Sequence, residues 1–189
     1  YVSARSREIT REPLMRWICG EAIVFYRTQA GSIAALADRC PHRKYPLSKG
    51  QIVGDDIECG YHGLRFGPSG LCTRIPAQNA IPNGFGTRAY PIIERNNLVY
   101  VWIGEAEKAD ASLLHDFFEN SDPAWAAECD YNHLEANWQL IVDNLLDLTH
   151  LTFVHKTTLA SSGIQENPLI VTQEGDICLL YTSPSPRDV

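Results

Sequence analysis

The sequence predicts an α+β chain, with an all-β domain over residues 1–105 and a mixed helix-and-strand segment over residues 106–177. Three observations carry this. Through about the first hundred residues, apolar and polar side chains alternate in short runs separated by Gly, Asn and Asp turn signals. Glu105–Asp110 is a charged, small-residue stretch suited to a boundary. Beyond it, good helix formers run from Gln139 to Leu148.

In order, Met15–Cys19, Ala22–Tyr26 and Ile33–Ala37 read as strands turning at Gly20 and at Ala30-Gly31. Gln51–Val53 and Ile57–Cys59 form a second pair around Gly54-Asp55-Asp56. Leu64–Phe66 and Leu71–Thr73 flank Gly67-Pro68-Ser69-Gly70, a hairpin by turn chemistry. Residues 77–86 are rich in Pro, Asn and Gly and read as a loop. Tyr90–Ile103 is a last strand pair turning at Asn96-Asn97. After the boundary, Ala111–Phe118 reads as a short helix with Asp110 or Ser112 as its cap.

Of 189 residues, 44% are hydrophobic, ordinary for a globular protein. Sixteen Lys and Arg against 23 Asp and Glu give a net charge of -7, which argues against nucleic acid or an anionic membrane as partner. No apolar run is long enough to predict a membrane span. The chain opens at Tyr1 with neither Met nor a signal-peptide pattern, so it reads as cut from something longer. Its six Cys lack a disulfide-framework spacing, and cytoplasm is the default compartment.

Chemistry concentrates in Cys40-Pro41-His42 and Cys59-Gly60-Tyr61-His62. Each stretch offers one thiolate and one imidazole, and two such loops can hold a [2Fe-2S] cluster, both Cys on one iron and both His on the other. Neutral imidazoles in place of two thiolates ease reduction, lifting the potential to roughly −150 to +300 mV from about −400 mV. Zinc is the alternative for a Cys2His2 set, but zinc sites generally pair Cys with Cys and His with His along the chain. Arg43, Lys44 and Tyr45 are expected on a solvated loop beside this site.

A second constellation lies at Asn144, Asp147 and His150, spaced i, i+3 and i+6 along one helical face, with His155 five residues on. Five residues turn an ideal helix about 140°, so His150 and His155 share a metal only if the helix distorts near Thr149–Thr152 or ends before His155. The plainer alternative is a capped amphipathic helix with two surface histidines.

Taken together, Cys40-Pro-His-Arg43, Cys59-Gly-Tyr-His-Gly63 and Asn144-x2-Asp147-x2-His150-x4-His155 resemble the Rieske non-haem iron oxygenases, over residues 1 to about 175. The Asn three residues before the Asp is similar to the aromatic O-demethylase branch, of the vanillate O-demethylase type. The resemblance implies a Rieske [2Fe-2S] domain held by Cys40, His42, Cys59 and His62, then a truncated catalytic domain of the helix-grip type. It implies mononuclear Fe(II) on His150 and His155, with Asp147 as bridging carboxylate and Asn144 beside it. The third, carboxylate ligand belongs to a part of the family's C-terminal domain not seen here, so this fragment alone is expected to be inactive. Implied partners are a flavin and iron–sulfur reductase delivering electrons from NADH, O2, and a small aromatic acid such as a methoxybenzoate. A homotrimer is implied at full length. Lys44-Tyr45 departs from the family, whose loop carries small residues there. A ferredoxin-like electron carrier and a ring-hydroxylating dioxygenase are the alternative functions.

The end of the chain is unlike the family. Cys178-Leu-Leu-Tyr-Thr-Ser-Pro-Ser-Pro-Arg-Asp188 back-translates in frame into a sequencing-library adapter. Residues 178–189 are therefore expected to be non-native and to fit no element.

Overall fold

Turn chemistry sets the strand succession from the N-terminus onward. β1 (Val2–Arg5), β2 (Leu14–Ile18), β3 (Glu21–Arg27) and β4 (Ile33–Ala37) come first. Then follow β5 (Gln51–Val53), β6 (Asp56–Glu58), β7 (Arg65–Phe66), β8 (Cys72–Arg74), β9 (Ile92–Arg95) and β10 (Leu98–Val101). This computed structural model describes residues 1–128, 130, 132–158, 170–175 and 177–181. Its two compact units are Tyr1–Cys129 and Asp130–Val189, so residues 106–128 go with the first.

Within the first unit the strands form three antiparallel sheets, ordered β2-β3-β4, β5-β6-β7-β8 and β1-β10-β9. The β2–β3 hairpin turns on Cys19 and Gly20, both at positive φ (50° and 78°), and pairs Ile18 with Glu21. The β9–β10 hairpin turns on Asn96 and Asn97 (52° and 60°) and pairs Arg95 with Leu98. Two successive positive φ values match the right-handed twist of the strands they join, and Gly and Asn tolerate them best. β1 was not legible in the sequence. It is four residues long and pairs with β10 from the far end of the unit.

β3 separates two apolar cores. Val24 and Tyr26 face one way, into a core with Leu36, Leu47, Ile57, Phe66 and the cysteines Cys40 and Cys59. Ile23 and Phe25 face the other, against Ile9, Tyr90, Val99 and Val101. Successive strand residues point to opposite faces, so a strand buried on both sides reads as the continuous apolar run Ala22–Tyr26.

Polar clamps close the unit. Arg27 makes a two-pronged ion pair with Glu94, at 2.9 and 3.1 Å. The Tyr90 hydroxyl donates to Glu21, which also pairs with Arg88. Burial first, then the Glu21 bond, pushes the Tyr90 phenol up to about 12 from its usual 10. The raised value means the fold favours the neutral phenol. This contribution is whole below pH 10 and is lost as pH rises from 10 towards 12. The urea midpoint of the chain should therefore fall steeply over that window, and Tyr90→Phe should flatten the fall. A parallel fall in both would contradict it. Tyr26, also raised by burial, leaves some alkaline sensitivity in the variant.

Ala111–Phe118 does not form the expected helix. It yields two single 3-10 turns, Ala111–Leu113 and Phe118–Asn120, the first capped by Asp110, whose carboxylate accepts from Ser112 N at 2.8 Å. Asp110 binds both the backbone N and the hydroxyl of Ser112, a local arrangement that competes with continuing the helix.

In the second unit, α1 (Trp138–Leu146) starts at Asn137, whose side chain accepts from Gln139 N at 2.9 Å. A 3-10 turn, Leu148–His150, and α2 (Leu151–Val154) follow. β11 (Ile170–Glu174) and β12 (Ile177–Tyr181) pair antiparallel, from Ile170 opposite Tyr181 to Glu174 opposite Ile177. This corrects the expectation that the tail from Cys178 fits no element. Ile-Cys-Leu-Leu-Tyr is an apolar, partly β-branched and aromatic run, which favours a strand whatever its codons resemble. Residues 182–189 lie outside the described residues.

Candidate metal centres

The two Cys/His loops share one backbone plan. In the first, Cys40 N donates to Tyr45 O and Lys44 N donates to Cys40 O, each at 2.8 Å. In the second, Cys59 N donates to Leu64 O (2.8 Å) and Gly63 N donates to Cys59 O (2.9 Å). The fourth residue after each Cys is left-handed: Lys44 at φ 62° and Gly63 at φ 70°. Gly63 holds that conformation freely, whereas a side chain there costs about 1–2 kcal/mol.

This plan sends each loop's Cys inward and its His outward. Cys40 and Cys59 are 1% and 2% exposed, inside the first core, and neither is in a disulfide. Burial foremost pushes the Cys40 thiol up and the neighbouring Cys59 adds to the rise, opposed by the backbone N–H groups of His42 and Arg43. At the exposed end the His42 and His62 rings lie 4.8 Å apart, and Tyr61 lies 3.9 Å from His62. Thiol faces thiol and imidazole faces imidazole across the two loops. That donor arrangement suits two irons bridged by sulfide, one taking two sulfurs and the other two nitrogens. A single zinc ion needs all four donors around one point. Among the described residues, no three or more His, Cys, Asp or Glu converge in that way.

Close approach of the loops rests on Gly60. A Cβ there would meet the Lys49 carbonyl oxygen at 2.9 Å and the Tyr45 ring at 3.5 Å. Below, Asp38 is buried and accepts from Ser48 N and Oγ, both at 2.6 Å, which ties the two ends of the first loop together. Tyr45 is not simply solvated, as expected. It is half-buried, packs on the core and meets Tyr61 ring to ring at 5.7 Å. The clamp and this packing were missed, although Asp38 and Ser48 flanking a metal loop are the kind of pair that closes one.

The second constellation is not a stripe on one helix. α1 ends at Leu146, and Asp147 (φ −84°, ψ 85°) caps the next turn, its Oδ1 accepting from Thr149 N at 3.1 Å and Thr149 Oγ1 at 2.5 Å. These bonds hold its carboxyl below the usual carboxylate range. His155 lies past the end of α2, so the distortion falls earlier than expected and His155 is also off the helix. The combined turn brings the His150 and His155 rings to 5.3 Å, edge to face. His150 Nδ1 bonds the Asp147 carbonyl, which fixes that nitrogen as the N–H and leaves the lone pair on Nε2. Asn144 Nδ2 is 3.5 Å from that Nε2. Two imidazoles brought together, one with its tautomer set by a backbone partner, fit a metal site.

Comparison with known proteins defines the class first. Residues 1–91 match the Rieske [2Fe-2S] domain, and residues 134–187 match the vanillate O-demethylase oxygenase C-terminal domain, a match that runs through β12. The chain is 44% identical over 164 residues to the toluene-4-sulfonate monooxygenase system iron-sulfur subunit of Comamonas testosteroni, covering 86% of this chain and 47% of that one. It is 40% identical over 177 residues to a vanillate O-demethylase oxygenase subunit of Pseudomonas sp., covering 93% and 49%. The crystal structure of dicamba monooxygenase bound to dicamba superposes with a TM-score of 0.88 at 36% identity, covering 92% of this chain and 52% of that one. The chain belongs to the Rieske non-haem iron oxygenase family. It spans about half the length of the curated relatives it matches. No helix among the described residues is long and apolar enough to cross a membrane.

Proposed function

We propose that this chain is part of the oxygenase component of a Rieske non-haem iron monooxygenase that removes a methyl group from a small aromatic ether, such as a methoxybenzoate. The arrangement of two buried thiols below two exposed imidazoles whose rings lie 4.8 Å apart carries the proposal. Cys40 and Cys59 are the ligands of one cluster iron, and His42 and His62 those of the other. His150 and His155 would hold the mononuclear iron together with a carboxylate. When bound, these groups supply electron relay and oxygen activation.

The chain's own residues bind and orient. The Asp147 carbonyl holds the His150 Nδ1 proton and aims Nε2, and Asn144 sits beside that nitrogen. The exposed Asp147 carboxylate is an acceptor for His62 of the neighbouring subunit in a homotrimer, while the backbone carbonyl of the same residue holds His150, which makes Asp147 the bridge between them. The electrons come from NADH through a flavin and iron–sulfur reductase. In balance, methyl ether, O2, NADH and a proton give phenol, formaldehyde, water and NAD+. Relatives named for vanillate and dicamba demethylation and for toluene-4-sulfonate oxidation support a small aromatic substrate.

The full-length subunit, supplied with reductase, NADH and a methoxybenzoate, should release formaldehyde and phenol in equal amounts. A ring dihydrodiol would make it a dioxygenase. Reduction and reoxidation of the cluster without product would make it an electron carrier.

A further inference from the structure

We infer that Tyr45 is a positioning residue for the redox centre. Acting through Tyr61, it keeps water off one face of His62 and so holds the centre harder to reduce. This rests on reading the two Cys/His loops as a [2Fe-2S] site.

Tyr45 is anchored twice. Its carbonyl accepts from Cys40 N at 2.8 Å, which closes the first loop, and its half-buried ring packs on the core that contains both cysteines. Lys44, at φ 62°, is exposed, so the chain turns from solvent to core between these two residues. The Tyr45 ring meets Tyr61 of the second loop at 5.7 Å, tilted by 45°. That separation lies within the range of about 4.5–7 Å that aromatic pairs favour. Tyr61 itself is 58% exposed. A ring so exposed turns between rotamers unless a neighbour holds it, and Tyr45 is its neighbour from the other loop.

Tyr61 in turn covers His62. Their rings lie 3.9 Å apart at 30°, nearer face-to-face than edge-on, which leaves no room for water between them. His62 lies 4.8 Å from His42, and His42 shares the first loop with Tyr45. The four rings therefore run from the first loop to the second and back, with both ends fixed on the first.

Charge sets the direction of the effect. Two ferric ions, two sulfides, two thiolates and two neutral imidazoles sum to zero, and one added electron makes the centre an anion. Water beside the imidazole stabilises the anion, so excluding it favours the neutral, oxidised form. Removing the cover should ease reduction. The couple takes up one electron, supplied in the test by an electrode, and no bond is made or broken.

The test uses the whole 189-residue chain, reconstituted with iron and sulfide and poised at fixed pH at the parent's midpoint potential. The reduced-to-oxidised ratio, read from visible absorbance, should rise about threefold in Tyr45→Leu, which keeps apolar bulk on the core but loses the ring. Tyr45→Phe should match the parent. Tyr61 is exposed, so Tyr61→Ala removes the same cover without touching the core, and it should raise the ratio at least as far. Tyr45→Leu added to Tyr61→Ala should change nothing more, because the two act in series. An unchanged ratio in Tyr45→Leu, an equal rise in Tyr45→Phe, or additive effects in the double variant overturns the inference. In the chain without iron, NMR reads the same contact. The His62 ring protons, assigned by their loss in His62→Gln, should lie upfield under the Tyr61 ring. They should return towards free-histidine positions in Tyr45→Leu and stay in place in Tyr45→Phe. His62 resonances that ignore Tyr45→Leu overturn the inference too. A chain that assembles no cluster would sink the redox reading instead, while NMR still decides whether Tyr45 holds Tyr61 over His62.

Discussion

Reconstituted with iron and sulfide, the chain should give the reduced Rieske resonance, and Cys40→Ser, Cys59→Ser or His62→Ala should abolish it. Among the described residues no other cysteine is placed to substitute, so the expected loss is complete. Cys40 and Cys59 lie in the first core, and Cys72, also buried and free, bonds the Arg74 carbonyl instead. The His62 substitution leaves the buried sulfurs untouched, so it reports on the nitrogen half alone. Folding should survive these changes, because each loop is held by its own backbone bonds and the first also by the Asp38–Ser48 clamp. Circular dichroism of each variant checks this. Stoichiometric zinc held by the parent chain, with no iron or sulfide taken up, would contradict the assignment.

In the full-length subunit, Asp147→Asn should leave the cluster spectrum and iron content intact and slow reoxidation of the reduced cluster by O2 and substrate about 10–100-fold. The substitution isolates one property. Asn caps a turn about as well as Asp, so the Leu148–His150 turn should persist. The contact that fixes His150 is made by the backbone carbonyl of residue 147, which does not change. What disappears is the charge and the acceptor-only carboxylate. Thr149→Val is the control, since it removes the hydroxyl on Oδ1 and leaves the carboxylate, and it should cost much less. Single-turnover stopped-flow absorbance measures both. Reoxidation at the parent rate in Asp147→Asn would leave Asp147 as no more than a cap, and added reductase should not rescue a slow variant.

Most of the first unit was legible because its signals are local. The Asn96-Asn97 and Gly20 turns and the short apolar run Ile33–Ala37 each specify an element within a few residues. What escaped depends on distant partners or on competition between weak preferences. β1 exists only through β10. Ala111–Phe118 has helix-forming residues, but the Asp110–Ser112 bonds close its first turn locally. The break at Asp147 reflects an Asp that caps better than it continues a helix and a Thr that satisfies it.

The candidate ligands were legible as residue types and spacings, since Cys-x-His and Cys-x2-His are short-range patterns. Their disposition was not. That both Cys turn into a core and both His turn out follows from the shared bonding plan of the loops, which pairs Lys44 with Gly63. No spacing announces that equivalence. Likewise Tyr45, adjacent to an exposed Lys, turns inward onto the core and meets Tyr61 of the other loop ring to ring.

The most direct test of the central claim is to count the nitrogens on the cluster. Pulsed EPR of the reduced, reconstituted chain, prepared with 15N-histidine against a 14N background, should show two strongly coupled histidine nitrogens on one iron and none on the other. His42→Cys should reduce the count to one. A reduced cluster with no histidine nitrogen coupling, or with one that persists unchanged in both His42→Ala and His62→Ala, would contradict the account.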